Sequence, residues 1–150
     1  MNAKFYIMSG SVSADSSELD EAACQIISRH YRNGEKVFVL ANSQQHAERI
    51  DEILWRFDTA QFVPHSLSGE NPQQASPVEI AWQPVNARRQ TLINLASSAP
   101  NTATYYQQII DFVPGDEAGK KQARDRYRLY RQMGIQLETL TYNDEFEDLS

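Results

Sequence analysis

Six of the fourteen Lys and Arg residues in this acidic chain of 150 residues lie between Phe112 and Gly134, in FVPGDEAGKKQARDRYRLYRQMG. On a helix turning through about 100° per residue, Lys120, Arg124, Tyr127 and Arg131 share one face, with Arg128 at its margin. Ala118, Ala123, Leu129, Tyr130 and Met133 fall round the other side, which is expected to pack on the body of the protein. The chemistry open to the first face is capture of an anion. A guanidinium fork bonds both oxygens of a carboxylate, and the aliphatic stems and the tyrosine ring can flank an apolar group beside it. A face that is merely solvated usually interleaves charges of both signs; this one is almost purely cationic. The stretch carries six basic and three acidic residues, while the whole chain has a net charge of -6. The remainder of the molecule should therefore repel nucleic acid and anionic membrane. A small acidic partner, a peptide or a carboxylate, suits the local patch better than a duplex.

Other reactive residues carry less. His30, His46 and His65 sit in separate elements and show no metal-ligand spacing. His65 follows a strand end, where a loop-capping role is the simplest expectation. Cys24 lies beside Ala23 and Ile27 on an apolar helix face, as a core residue would. Glu48, Asp51 and Glu52 read as exposed helix carboxylates. Asp111 lies inside an apolar strand and needs a buried partner, a salt bridge or a cap. The loop after the first strand, SGSVSADSS, has one glycine and neither Gly-x-Gly-x-x-Gly nor Gly-Lys-Ser/Thr, so it lacks the close backbone cradle that phosphate requires. No catalytic residue, metal or cofactor is expected.

The elements that must position the cationic face can be read in order. Lys4 to Met8 is a short buried strand. Leu19, Ala22, Ala23, Ile26, Ile27 and Tyr31 recur at helical spacing up to Gly34. Lys36 to Ala41 is an apolar strand buried on both faces. Asn42 or Ser43 caps a second helix with the stripe Ala47, Ile50, Leu54 and Phe57, and Trp55 falls off that stripe. Phe62-Val63-Pro64 reads as a strand cut by proline, and His65 to Ser76 as a loop. Val78 to Trp82, Thr91 to Leu95 and Ile109 to Val113 are further strands, with a helix capped by Asn101 between the last two. Pro114 turns the chain into the cationic helix, Gly134 closes it, and Ile135 to Tyr142 supplies an edge strand. This alternation predicts an α/β fold, a parallel or mixed sheet with helices on both faces. Residues 1–142 are expected to form a single domain, and residues 143–150, NDEFEDLS, an acidic, flexible tail. No apolar run approaches the roughly 20 residues of a membrane span. A lone cysteine suits a reducing cytoplasm.

Several runs, in one order, resemble a known family. FVPH (Phe62 to His65), LSGENP (Leu67 to Pro72), PVEIAW (Pro77 to Trp82), DFVP (Asp111 to Pro114) and ARDRYRLYRQMG (Ala123 to Gly134) are similar to the chi subunit of bacterial DNA polymerase III holoenzyme, over residues 4 to about 140. The resemblance implies a Rossmann-like α/β domain without a phosphate loop and a non-catalytic accessory protein of the clamp-loader complex. It implies binding to the psi subunit, to the acidic C-terminal tail of single-stranded DNA-binding protein ending in Ile-Pro-Phe, and in some bacteria to an XPD-type helicase. The family's tail-binding positions match Lys120, Arg124, Tyr127 and Arg128. Its psi- or helicase-binding positions match Trp55, Phe62 and Val113. A second class of function uses the same helix differently: with Arg88 and Arg89 it would form a groove for single-stranded nucleic acid or a nucleotide, Tyr127 stacking on a base.

Overall fold

The computed structural model describes residues 1–13, 17–56, 63–67, 76–83 and 90–142. Phe57, Phe62, Arg88, Arg89 and the acidic tail lie outside them. Seven strands form one sheet: β1 (Asn2–Ile7), β2 (Val37–Leu40), β3 (His65–Leu67), β4 (Val78–Ala81), β5 (Thr91–Asn94), β6 (Gln108–Val113) and β7 (Gln136–Thr141). The helices are α1 (Ser17–Arg32), α2 (Gln44–Trp55) and α3 (Glu117–Gln132), with a 3-10 turn at Ala103–Tyr105. The sheet order is β3-β4-β2-β5-β6-β1-β7, and each of its pairings is parallel rather than mixed.

Parallel strands covered on both faces must be apolar on both sides, and two cores follow from the alternation. Tyr6, Val37, Val39, Ile80, Ile93 and Ile110 face α1 and α2, meeting Ala23, Ile27, Ile50 and Leu54. Their neighbours Phe5, Phe38, Leu40, Leu92 and Ile109 face the opposite way and meet Tyr106 and Tyr130 of the α3 side. Gly34 and Gly134, the residues expected to close α1 and α3, have φ of +81° and +83°, the left-handed conformation of a helix C-terminus. Ser43 caps α2 by accepting the His46 N–H at 3.1 Å.

Three local expectations need correction. The strand lies at His65–Leu67, inside the expected loop, while Val63 and Pro64 precede it. Proline has no N–H for a ladder, so pairing begins after it. The segment following Asn101 is a 3-10 turn preceded by Thr102, without a side-chain cap. Position Ala118 is exposed rather than packed on the body.

The loops after β1 and β6 are stitched together under the start of α3: the Gly115 N–H donates to the Val12 carbonyl at 2.7 Å. A Cβ on Gly115 would run into the Ser9 carbonyl oxygen and come within 2.6 Å of the Gly10 Cα. Both obstacles are backbone, so Gly115→Ala is expected to cost about 1–3 kcal/mol in urea unfolding. A change under about 0.5 kcal/mol would show that the two loops separate freely.

Candidate functional site

The cationic helix α3 opens with Asp116, whose carboxylate accepts the Gly119 N–H at 3.1 Å. Glu117 follows in the first turn, where the helix dipole favours an anion. The side facing the sheet is Gly119, Ala123, Arg126 and Tyr130. Leu129, expected in that set, is 40% exposed. The buried stripe is thus rotated by about half a residue's turn from the one the apolar residues suggest. The residue responsible is Arg126.

Arg126 is 5% exposed, and each of its three guanidinium nitrogens is bonded. Nε donates to both oxygens of Asp111 at 3.0 and 3.1 Å, and the two terminal nitrogens donate to the carbonyls of Ser97 (2.9 Å) and Phe112 (2.8 Å). Asp111 also accepts the Tyr130 hydroxyl at 2.9 Å and the Phe112 N–H at 2.7 Å. Asn94 donates to the Tyr130 hydroxyl at 3.1 Å. The expected partner of Asp111 is therefore a guanidinium on α3. Burial pushes the Asp111 carboxyl up, while Arg126 and the surrounding donors pull against it. Burial, reinforced by the Asp111 charge, holds the Tyr130 hydroxyl far above its ordinary value, so it stays a donor. This network pins α3 to β5 and β6.

With Arg126 inward, Lys120, Arg124, Tyr127 and Arg131 form the flank of α3 over β1, and Arg128 points further out. Lys120 approaches Glu117 only at 3.9 Å, and Arg128 meets Asp125 at 3.3 Å. Arg124 and Arg131 are exposed and have no ion pair or side-chain hydrogen bond among the described residues. Tyr127 is half-buried, its ring 5.4 Å from that of Phe5, so it is an anchored wall rather than a freely projecting aromatic. A predominantly cationic flank, with an exposed guanidinium at its centre that no described residue pairs and a fixed ring beside it, can take a carboxylate and an apolar group together.

Trp55 ends α2 with 59% of its surface exposed, off the stripe Ala47, Ile50, Ile53 and Leu54. Its ring meets that of His65 edge-on at 5.1 Å. His65 is held in turn by the Val63 carbonyl at Nδ1 (2.6 Å) and by Asp51, 3.0 Å from Nε2. Val113 is elsewhere. It ends β6, packs with the α3-side core that Tyr127 also joins, and lies on a strand separated from β3 by β4, β2 and β5. At about 4.8 Å per strand this is nearly 20 Å. Lys120, Arg124, Tyr127 and Arg128 thus come together, whereas Trp55 and Val113 do not.

A polar cleft of about 230 Å³ opens at the carboxyl ends of β2, β5 and β6, where a sheet of this order can hold a ligand. Its charged walls are already paired: Arg126 with Asp111, and Arg49 with Asp20 at 2.7 Å. His46 is fixed between the Asn42 N–H at Nδ1 (3.1 Å) and Asp20 at Nε2 (2.8 Å). These groups are internal supports. Cys24 is fully buried, and burial pushes its thiol far up, away from nucleophilic use. Among the described residues no cluster of His, Cys, Asp and Glu is arranged to hold a metal.

Residues 1–138 match the family model described as DNA polymerase III chi subunit, HolC. The chain is 38% identical over 144 residues to a protein of Escherichia coli K12 named DNA polymerase III subunit chi, covering 94% of this chain and 98% of that one. A protein of the same name from Haemophilus influenzae is 42% identical over 139 residues, covering 91% and 94%. One from Pseudomonas aeruginosa is 30% identical over 135 residues, covering 89% and 92%.

Proposed function

The chain belongs to the DNA polymerase III chi subunit family, and from that premise we propose that α3 is the receptor for an acidic, phenylalanine-ended peptide, the C-terminal tail of single-stranded DNA-binding protein. The protein is an accessory subunit in DNA replication, without catalysis of its own. In the proposed role it works in the cytoplasm as one domain of residues 1–142 and joins that tail, through psi, to the clamp loader. The observation that carries the reading is Arg124, exposed and without an ion pair among the described residues, in the middle of a predominantly cationic helix flank. Arg124 takes the terminal carboxylate. Lys120, Tyr127 and Arg128 flank the ring, and upstream aspartates feel the whole patch through screened attraction. An acidic, Phe-ended peptide and a labelled single-stranded oligonucleotide, titrated at two salt concentrations, test it. The peptide is expected to bind, more weakly at high salt, and the oligonucleotide is not. The reverse order of affinities would favour nucleic-acid binding and remove this reading.

Trp55, with Phe62, is the proposed seat for psi or for an XPD-type helicase. An exposed Trp braced by a neighbouring ring has the character of an interface anchor. Trp55→Ala is expected to weaken capture of that partner by about 2 kcal/mol or more, with peptide affinity at α3 unchanged. Loss of both activities together would indicate a folding defect instead.

A further inference from the structure

The chain leaves the sheet beside the cationic flank. Tyr142 follows β7, its N–H donating to the Ile7 carbonyl at 2.9 Å, and β7 lies against β1, the strand beneath that flank. Phe5, whose ring meets that of Tyr127, stands in register with Thr139. The helix runs back against the parallel strands it connects. One turn from Tyr127 toward their carboxyl edge, about 5.4 Å, reaches Arg124, and a second reaches Lys120. Two residues along β7 from Thr139, about 6.6 Å, reach Thr141. Tyr142 therefore stands between the levels of Arg124 and Lys120, one strand spacing of about 4.8 Å to the side of β1.

The sequence that continues from there, residues 143–150, is NDEFEDLS, with the carboxylates Asp144, Glu145, Glu147 and Asp148 and no basic residue. Two faces adjoin the end of β7. On the α1 side, the cleft next to Tyr142 is lined by Glu18 and Glu21, and Glu138 points the same way as Leu140, toward that side. An acidic segment is repelled there. On the α3 side, β7 presents Leu137, Thr139 and Thr141, all uncharged, and the nearest charges beyond them are the cations of α3. At about 3.4 Å per residue, Asp144 to Asp148 come within roughly 7–20 Å of Tyr142 along the chain. The two turns from Lys120 to Tyr127 span about 10 Å, so length and charge both match.

We propose that residues 143–150 lie along the cationic flank of α3 in the free protein and must leave it before an acidic peptide can bind. The inference rests on the peptide reading above and adds an autoinhibitory contact to it. Phe146 is followed by four more residues, so Arg124 cannot grip a ring and a terminal carboxylate on one residue. The contact is therefore weaker than that of the ligand and rests on the four side-chain carboxylates. The short tether compensates with an effective concentration in the mM range. With the flank covered for about half to four-fifths of the time, the apparent affinity for an outside peptide falls about two- to fivefold.

The test uses the full chain and a variant of the same length with Asp144→Asn, Glu145→Gln, Glu147→Gln and Asp148→Asn. Each is titrated with the acidic, Phe-ended peptide at about 0.1 M and about 1 M salt, between which the Debye length falls from about 10 to about 3 Å. The variant is expected to bind about two- to fivefold more tightly at low salt and equally at high salt. A nitroxide on Ser150→Cys gives a readout without added peptide, and Cys24, fully buried, escapes labelling. It is expected to broaden the amide resonances of Lys120, Arg124 and Tyr127 more strongly in the natural background than in the neutralised one. Equal broadening in the two backgrounds overturns the contact, and a change of affinity beside it means long-range repulsion of the peptide only. Unequal broadening with unchanged affinity overturns the competition. If neither form binds the peptide, the peptide reading fails, and the label still decides whether the segment lies on α3.

Discussion

Replacing Arg126 with alanine is expected to destabilise the protein by about 3–5 kcal/mol, the range for stripping one partner from a buried ion pair. Removal of the guanidinium leaves the Asp111 carboxyl buried without its cation, and it deprives the carbonyls of Ser97 and Phe112 of their donors. Against a total stability of about 5–15 kcal/mol, this is a large share. Chemical unfolding in urea measures it. A loss under about 1 kcal/mol would show that water or a neighbouring donor replaces the guanidinium, and that packing of Ala123 and Tyr130 alone holds the helix. Asp111→Ala is expected to fall in the same range, since it leaves the cation in place of the anion.

Replacing Arg124 with alanine is expected to weaken binding of the acidic peptide by about 1–3 kcal/mol while leaving stability within about 0.5 kcal/mol, because its side chain makes no bond to another described residue. Lysine at the same position should restore the charge and only part of the affinity, since an ammonium lacks the fork that bonds both carboxylate oxygens. Arg131 carries the same charge about two turns further along the helix. Its replacement by alanine removes long-range attraction only and is expected to cost no more than about 0.5–1 kcal/mol at low salt. Calorimetric titration separates the cases. Equal losses for Arg124 and Arg131 would mean that the patch acts as diffuse charge and that no single guanidinium grips the carboxylate.

The sequence made the strand positions legible wherever burial on both faces wrote an unbroken apolar run, as in Lys36 to Ala41. It made the helix ends legible where glycine had to adopt positive φ, at Gly34 and Gly134. The cationic flank of α3 was legible too, because like charges at helical spacing are rare on a plain solvated surface. The inward face was not. Periodicity ranks residues by hydrophobicity, so Leu129 was placed inside and Arg126 received no place, although the demand of Asp111 for a partner was visible. The missing signal was the pairing itself: a carboxylate in the centre of β6 and a basic residue on the helix that immediately follows. Ile7 was hidden for another reason. A strand-end isoleucine looks like core, yet Ile7, at the end of β1 beside the edge strand β7, is 41% exposed. The distance between Trp55 and Val113 is likewise a matter of strand order, which local pattern does not encode.

The place of β1 in the sheet also dictates the order in which this chain can be completed as it leaves the ribosome. Asn2 stands opposite Gln108 on one side and Gln136 on the other, and β1 has no other neighbour. The earliest of the seven strands is thus among the last to be secured, and only β7, which needs β1 as its partner, follows it. At synthesis rates of about 5–20 residues per second, β1 waits roughly 5–20 s for β6 to appear, with Phe5 and Tyr6 not yet enclosed between strands. Meanwhile β2, β4 and β5 can already pair among themselves. The helix that carries the cationic flank can dock only when this late strand is inserted beneath it, so the cationic flank and the closure of the sheet are completed in the same event.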